Sequence, residues 1–140
     1  MRNILFILFS LISMSVFSQE KIYLDFSEQV VKKLASEVYS QDTQYLTQAH
    51  LSGYNDFLNR IEIIKVSDEY LAAGNYKLIS TLDLMSKYNP DLDYDKGPNF
   101  DINTLNPLKY FWETKEDGSS NYYGIYQTNY LIRLLPKPKK

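Results

Sequence analysis

The sequence has no cysteine, and its 140 residues include one histidine, one tryptophan and five glycines. Without cysteine there are no disulfides, no thiolate metal ligands and no lipid-modified N-terminal cysteine. Zinc needs three or four Cys, His or acidic ligands, and His50 alone falls short of that number. The few glycines form no phosphate-binding loop. We therefore expect no cofactor.

An excess of positive charge is also missing, because 15 Lys and Arg residues stand against 17 Asp and Glu residues. Nucleic acids and anionic lipids bind proteins that carry a basic surface. The one basic run, "PKPKK" at 136–140, is short and is typical of a solvated chain end. We expect no nucleic-acid partner, and no membrane partner once a signal peptide is removed.

The N-terminus is the most apolar part of the chain. Arg2 precedes the run "ILFILFSLISMSV", and Val16 and Ser18 occupy the −3 and −1 positions of a small-residue cleavage site. A membrane anchor needs about 20 apolar residues, and this run ends before Gln19. The pattern predicts a signal peptide at 1–18, export to the periplasm or the cell exterior, and a single domain at 19–140.

Two helices are expected after the signal. In "DFSEQVVKKLASEVYS" apolar residues recur every four positions, which predicts an amphipathic helix with one face for a core. Asp25 and Glu28 suit a capping box at its start. A weaker helical pattern covers 41–59, where we expect Gly53 to interrupt the helix.

The remaining regular structure is predicted to be β. Arg60–Val66 and Tyr76–Leu82 have strand patterns, and between them Asp68 is placed to cap a short helix that Gly74 ends. "LKYFWET" (108–114), "NYYGIY" (121–126) and "YLIRLL" (130–135) predict a three-stranded meander. The order favours an α+β fold in which the N-terminal helix packs on an antiparallel sheet.

A long polar loop, 85–107, separates the second strand from the meander. Its Asp91, Asp93 and Asp95 have the spacing of a calcium loop. However, Lys96 stands where such a loop needs glycine, and Ile102 stands where it needs a bidentate Glu. We interpret the segment as an extended loop whose three aspartates face water while Leu92 and Tyr94 hold it to the protein.

Catalytic groups are scarce. Ser52 and Asp56 lie near His50, but members of a catalytic triad normally come from separate parts of the fold. A carboxylate pair such as Glu62 and Asp83 is more typical of the wet face of strands. The lack of a paired nucleophile and base favours a non-catalytic protein. A small extracytoplasmic hydrolase that uses acidic residues remains the alternative.

Tyrosine is the compositional excess, with 13 residues. Two explanations stay open for those in the meander: cross-strand pairing that stabilises the sheet, or an uncovered aromatic face that binds a protein or a glycan. Because side chains alternate along a strand, Tyr122 and Tyr126 share one face while Tyr123 and Ile125 share the other, which we expect to face the helix. The candidate binding residues are Tyr122, Tyr126, Tyr110 and Trp112.

The signal ending "VFSQE" and the body "NYKLIS…KYNP…NPLKYF" resemble short exported proteins of Bacteroidetes-type bacteria. The resemblance spans most of the chain and implies export. It brings no catalytic or binding residues with it.

Overall fold

A computed structural model describes residues 19–40, 42–115, 119 and 121–139. This part of the chain forms three α-helices and a five-stranded mixed sheet, so the predicted α+β class is confirmed. The signal peptide predicted at 1–18 lies outside the described residues.

The three helices and the first three strands precede a long irregular segment, and the last two strands follow it. Their bounds are β1 Gln19–Ile22, α1 Glu28–Tyr39, α2 Gln48–Leu58, β2 Ile61–Val66, α3 Asp68–Ala72, β3 Lys77–Leu78, β4 Tyr122–Gly124 and β5 Tyr130–Leu134. The strands are ordered β1-β2-β5-β4-β3. Neighbouring strands are antiparallel except β3 and β4, which are parallel.

Helix α1 forms over the predicted residues but does not pack where it was expected. Its buried stripe, which includes Val31, Leu34 and Ala35, belongs to a core shared with Leu51 and Leu58 of α2. The expected packing of this helix across the sheet is therefore not confirmed. The capping box is also wrong, because Ser27 is the N-cap residue and the Asp25 carboxylate accepts a hydrogen bond from the Ser27 amide.

Helix α2 runs through Gly53, contrary to prediction. The Thr47 hydroxyl caps the helix by accepting a hydrogen bond from the His50 amide. A glycine inside an exposed helix costs about 1 kcal/mol. Burial of Leu51 and Leu58 contributes about 1.5–3 kcal/mol for each side chain, which outweighs that cost.

Short helix α3 lies between β2 and β3 and begins at Asp68, one residue earlier than a cap at Asp68 would require. Ser67 is its N-cap residue, and the Ser67 hydroxyl accepts a hydrogen bond from the Tyr70 amide. Gly74 follows the helix with φ +75°, as expected of a residue that ends it.

The sheet contains fewer strand residues than the sequence predicts. The strand at Arg60–Val66 is confirmed as Ile61–Val66, whereas Tyr76–Leu82 gives only β3 followed by a 3-10 turn at Ile79–Thr81.

The prediction that Leu108–Thr114 forms the first strand of a meander is wrong. Pro107 has no amide hydrogen, and the Asn106 side chain caps a 3-10 turn at Pro107–Lys109 by accepting from the Leu108 amide. Of the three strands predicted for the meander, the last two are present and form the β4–β5 hairpin.

The segment between β3 and β4 covers the face of the sheet that was expected to meet the helix. Its Ile79, Ile102 and Leu105 form one core with Ile63 and Ile132 of the sheet. We call this covered face the inner face and the opposite one the outer face. The buried Asn106 side chain ties the same segment to α1 by donating to Leu34 O at 2.9 Å and to Glu37 Oε2 at 2.9 Å.

Candidate functional site

The predicted division of tyrosines between the two faces of β4 is confirmed. Tyr123 and Ile125 are 1% and 2% exposed and belong to the inner core, whereas Tyr126 is 53% exposed. Tyr122 is half-buried and aligns with Glu62 and Arg133 on the outer face. Strand alternation therefore places Tyr122 on the side away from the main core, and Tyr126, two residues beyond the end of β4, is exposed.

The ring of a third tyrosine, Tyr76, lies against the chain between Tyr122 and Tyr126 because residue 124 is a glycine. Gly124 lies between Tyr122 and Tyr126 on the same side of the chain, and the Tyr76 ring rests against its backbone. A Cβ atom at position 124 would stand 2.6 Å from Tyr76 Cε2, so only glycine leaves room for the ring. We name Tyr122, Tyr76 and Tyr126 the tyrosine row.

The tyrosine row borders a cleft of about 560 Å³, which we name the Tyr126 cleft. The cleft is lined by Leu71 of α3 and Gly74 after it, by Tyr76 and Leu78, and by the chain from Gly124 to Thr128. Its volume lies in the range of small-ligand sites, and its mixture of aromatic, aliphatic and amide groups is typical of them. Tyr76 also lines a neighbouring cleft of about 370 Å³ that contains Tyr122.

Gln127 lines the Tyr126 cleft and has a left-handed backbone, with φ +63°. This conformation costs a residue with a side chain about 1–2 kcal/mol, whereas glycine adopts it freely. The hairpin turn fixes it, since the Thr128 amide donates to Ile125 O and the Thr128 hydroxyl accepts from the Tyr130 amide. Strain of this kind is concentrated at functional sites in proteins.

A charged ladder crosses the outer face from Tyr122. Arg133 donates to the Tyr122 hydroxyl at 3.1 Å through Nη1 and to Glu62 through Nε. Lys21 of β1 binds the other Glu62 oxygen at 2.9 Å. The hydrogen bonds from Lys21 and Arg133 lower the pKa of the Glu62 carboxyl below its usual value of 4.5. The ladder fixes the Tyr122 ring beside charged groups.

Tyr110 and Trp112 do not lie with the tyrosine row. Tyr110 is 4% exposed, and its hydroxyl donates to Asp95 Oδ2 at 2.6 Å. Trp112 is half-buried, donates to Pro107 O and meets Tyr123 edge to face. Their expected place on the contact surface is wrong, because the 3-10 turn before them directs both rings into the inner core.

The three aspartates of the loop do not form one site. Asp91 and Asp93 are exposed, but Asp95 is buried, so the expectation that all three face water is wrong for Asp95. Its carboxylate is bound by Lys109 Nζ at 2.9 Å and by the Tyr110 hydroxyl. Burial and the Asp95 charge raise the pKa of Tyr110. No group of three or more His, Cys, Asp or Glu in the described part of the chain has the arrangement of a metal site.

A second aromatic cluster lies at the ends of α1 and α2. Tyr39 stacks on Tyr45 at 4.8 Å and on Tyr54 at 5.6 Å, and the Tyr45 and Tyr88 hydroxyls are 2.9 Å apart. His50 belongs to its rim and binds the Thr47 hydroxyl through Nδ1 at 2.8 Å. Its rings pack on one another and join the loop to the helices, so we interpret the cluster as structural.

Tyr76 and Gln127 were not predicted at the site from the sequence. The position of Tyr76 depends on the pairing of β3 with β4, which aligns Leu78 with Gly124, and that of Gln127 depends on the turn before β5. A usable signal is the alternation Tyr122, Gly124, Tyr126, because a glycine between two tyrosines leaves space for a ring from a neighbouring strand.

None of the helices in the described ranges is long and apolar enough to cross a membrane. Comparison with protein-family models, curated proteins and solved structures found no match to this chain.

Proposed function

We propose that this chain is an exported, non-catalytic binding protein whose contact surface is the tyrosine row on the outer face. The observation that carries the proposal is the exposure of Tyr126, 53%, beside a cleft that Tyr76 also lines. Tyrosine is enriched in binding surfaces because its ring is large and stiff and its tip is polar. The partner is a protein or a glycan.

The positions of the carboxylates support a non-catalytic role. Glu62 is bound by Lys21 and Arg133, Asp95 by Lys109, and Glu113 by Lys77 at 3.0 Å. A general acid or base needs a carboxyl group that can reach a substrate with its proton balance adjusted to the reaction. Each of these carboxylates is instead neutralised by a cation of the protein.

Export is supported by the charge, apolar run and small residues of 1–18. Mass spectrometry of the protein purified from its native cell tests this part. We expect the N-terminus at Gln19, and a cytoplasmic protein that begins at Met1 would contradict export.

The binding role is tested by immobilising residues 19–140 and measuring what is retained from native envelope and culture fluid. The double variant Tyr122→Ala with Tyr126→Ala should lose retention of the partner. Phe111→Ala is the matched control, since Phe111 is 57% exposed and does not line the Tyr126 cleft. Equal retention by the double variant and the wild type would contradict the proposal.

A further inference from the structure

The Tyr126 cleft is uncharged. None of the described residues that line it is Asp, Glu, Lys, Arg or His. Ionic ligands are recognised by opposite charges or by converging backbone amides, and a lining of aromatic, aliphatic and amide groups offers no such charge. The lining therefore fits a ligand without net charge that has both apolar and hydrogen-bonding surfaces.

The β4 backbone beside the cleft is already paired on both sides. The Ile125 amide donates to Tyr130 O in β5, and the Tyr126 carbonyl oxygen accepts from the Gly97 amide at 3.0 Å. Beside them, β4 pairs with β3 on one side and with β5 on the other. A peptide that binds by strand addition needs an unpaired edge, which β4 does not offer here.

Gln127 gives the cleft a neutral hydrogen-bonding group where the backbone favours glycine. Its amide has two donor hydrogens and one acceptor oxygen, so it can pair with hydroxyl groups of either orientation. A contact between the Gln127 amide and the ligand would explain why a residue with a side chain, and not glycine, stands at φ +63°.

From these observations we infer that the Tyr126 cleft binds a neutral sugar unit of a glycan. The apolar C–H face of the sugar lies on the rings of Tyr126 and Tyr76, and its hydroxyls bond to the Gln127 amide. The cleft volume of about 560 Å³ accommodates a ligand of this class. The inference rests on the proposed binding function and specifies its ligand.

Affinity electrophoresis of residues 19–140 tests the inference with starch, mannan, xylan and a mixed-linkage β-glucan as neutral probes. Polygalacturonate is the anionic comparison. We expect at least one neutral polysaccharide to slow the protein, with a Kd that changes less than about twofold between roughly 50 and 500 mM NaCl, because no ion pair forms. Tyr126→Ala should raise that Kd by about fivefold or more, and Phe111→Ala should leave it unchanged.

Gln127→Gly separates a ligand contact from a role in folding. Glycine relaxes the left-handed backbone, so the variant should unfold at the same or a higher temperature while its Kd for the polysaccharide rises. An unchanged Kd for both Gln127→Gly and Tyr126→Ala would overturn the inference, as would retardation by polygalacturonate alone.

A complete lack of retardation by the neutral polysaccharides would also overturn the inference. If the tyrosine row still retained a partner from native extracts, that partner would be a protein and the proposed function would stand. If no neutral polysaccharide slowed the protein and the tyrosine row retained no partner from native extracts, the proposed function would be contradicted as well.

Discussion

The ring of Tyr76 occupies the space that a side chain at Gly124 would need, since a Cβ atom there would lie 2.6 Å from Tyr76 Cε2. Tyr76 directly precedes β3 and meets Gly124 of β4 diagonally, because Leu78 is the direct partner of Gly124 in the parallel pair. This contact places an aromatic ring against the chain between Tyr122 and Tyr126.

Gly124→Ala should displace the Tyr76 ring and weaken partner binding. We expect a loss of about 1–3 kcal/mol in the free energy of unfolding, which is usual for overpacking. Urea denaturation measures it. Combining Gly124→Ala with Tyr76→Ala removes the clash, so a double-mutant cycle should show a coupling energy above about 0.5 kcal/mol. Simple additivity of the two changes would show that the ring does not rest on Gly124.

The tyrosines in and just after β4 should differ sharply in their effect on stability. Tyr123→Ala should cost about 3–5 kcal/mol because it empties the inner core, where Tyr123 is 1% exposed. Tyr126→Ala should stay within about 0.5 kcal/mol. Tyr122→Ala should cost about 1 kcal/mol through loss of its hydrogen bond from Arg133. If Tyr126→Ala unfolded the protein and Tyr123→Ala did not, the two faces of β4 would be assigned the wrong way round.

The charged ladder should make stability depend on acid pH through Glu62. Its folded-state pKa is lowered, so its stabilising effect is complete above the unfolded value of 4.5 and is lost as the pH falls through the folded value. Glu62→Gln should therefore be less stable than wild type at pH 7, and the difference should shrink below about pH 4. Thermal melts from pH 7 to pH 3 measure this difference.

Glu113→Gln is the matched control for the ladder. Its ion pair with Lys77 is more than half exposed on both sides, so the substitution should change the melts less than Glu62→Gln at every pH. A larger effect for Glu113→Gln would show that the ladder contributes little.

The buried Asp95–Lys109 pair should be sensitive to removal of one partner. Asp95→Ala leaves the Lys109 ammonium buried without a counter-charge and should cost about 3–5 kcal/mol. Asp91→Ala, at an exposed position of the same loop, should change stability little. Denaturant titration separates the two variants, and equal stabilities would contradict a buried pair.

Calcium should not change the melting temperature of the wild type at millimolar concentration. The carboxylate of Asp95 is committed to Lys109 and Tyr110, which leaves too few oxygens from the three aspartates for a calcium site. A bound ion would raise the melting temperature by mass action. A calcium-dependent rise that disappears in Asp91→Ala would show that the loop binds the ion.

The sequence predicts those parts of the fold that depend on local pattern. The period of α1, the strand β2 and the alternation at Tyr122 and Tyr123 follow directly from side-chain spacing. Leu108–Thr114 has the composition of a strand, but Asn106 and Pro107 bend the chain into a turn that takes in its first two residues. Local propensity cannot indicate that the loop, rather than α1, covers the inner face, because that choice depends on contacts such as those of Asn106 with α1.

The candidate site was likewise predictable only where it depends on local side-chain spacing. Tyr122 and Tyr126 follow from the alternation of side chains along a predicted strand, whereas the position of Tyr76 depends on the parallel pairing of β3 with β4 across more than forty intervening residues. Burial of Asp95 likewise depends on Lys109 and Tyr110, which lie 14 and 15 residues away along the chain.

The central claim is that the tyrosine row is the contact surface, and hydroxyl-radical footprinting tests it most directly. Residues 19–140 are oxidised alone and with the native fraction that retains the protein, and mass spectrometry gives the oxidation of each aromatic residue. We predict that the partner protects Tyr126 while Phe111 and Tyr23, which are 57% and 80% exposed, react as before. Unchanged oxidation of Tyr126 together with protection of Phe111 or Tyr23 would contradict the claim.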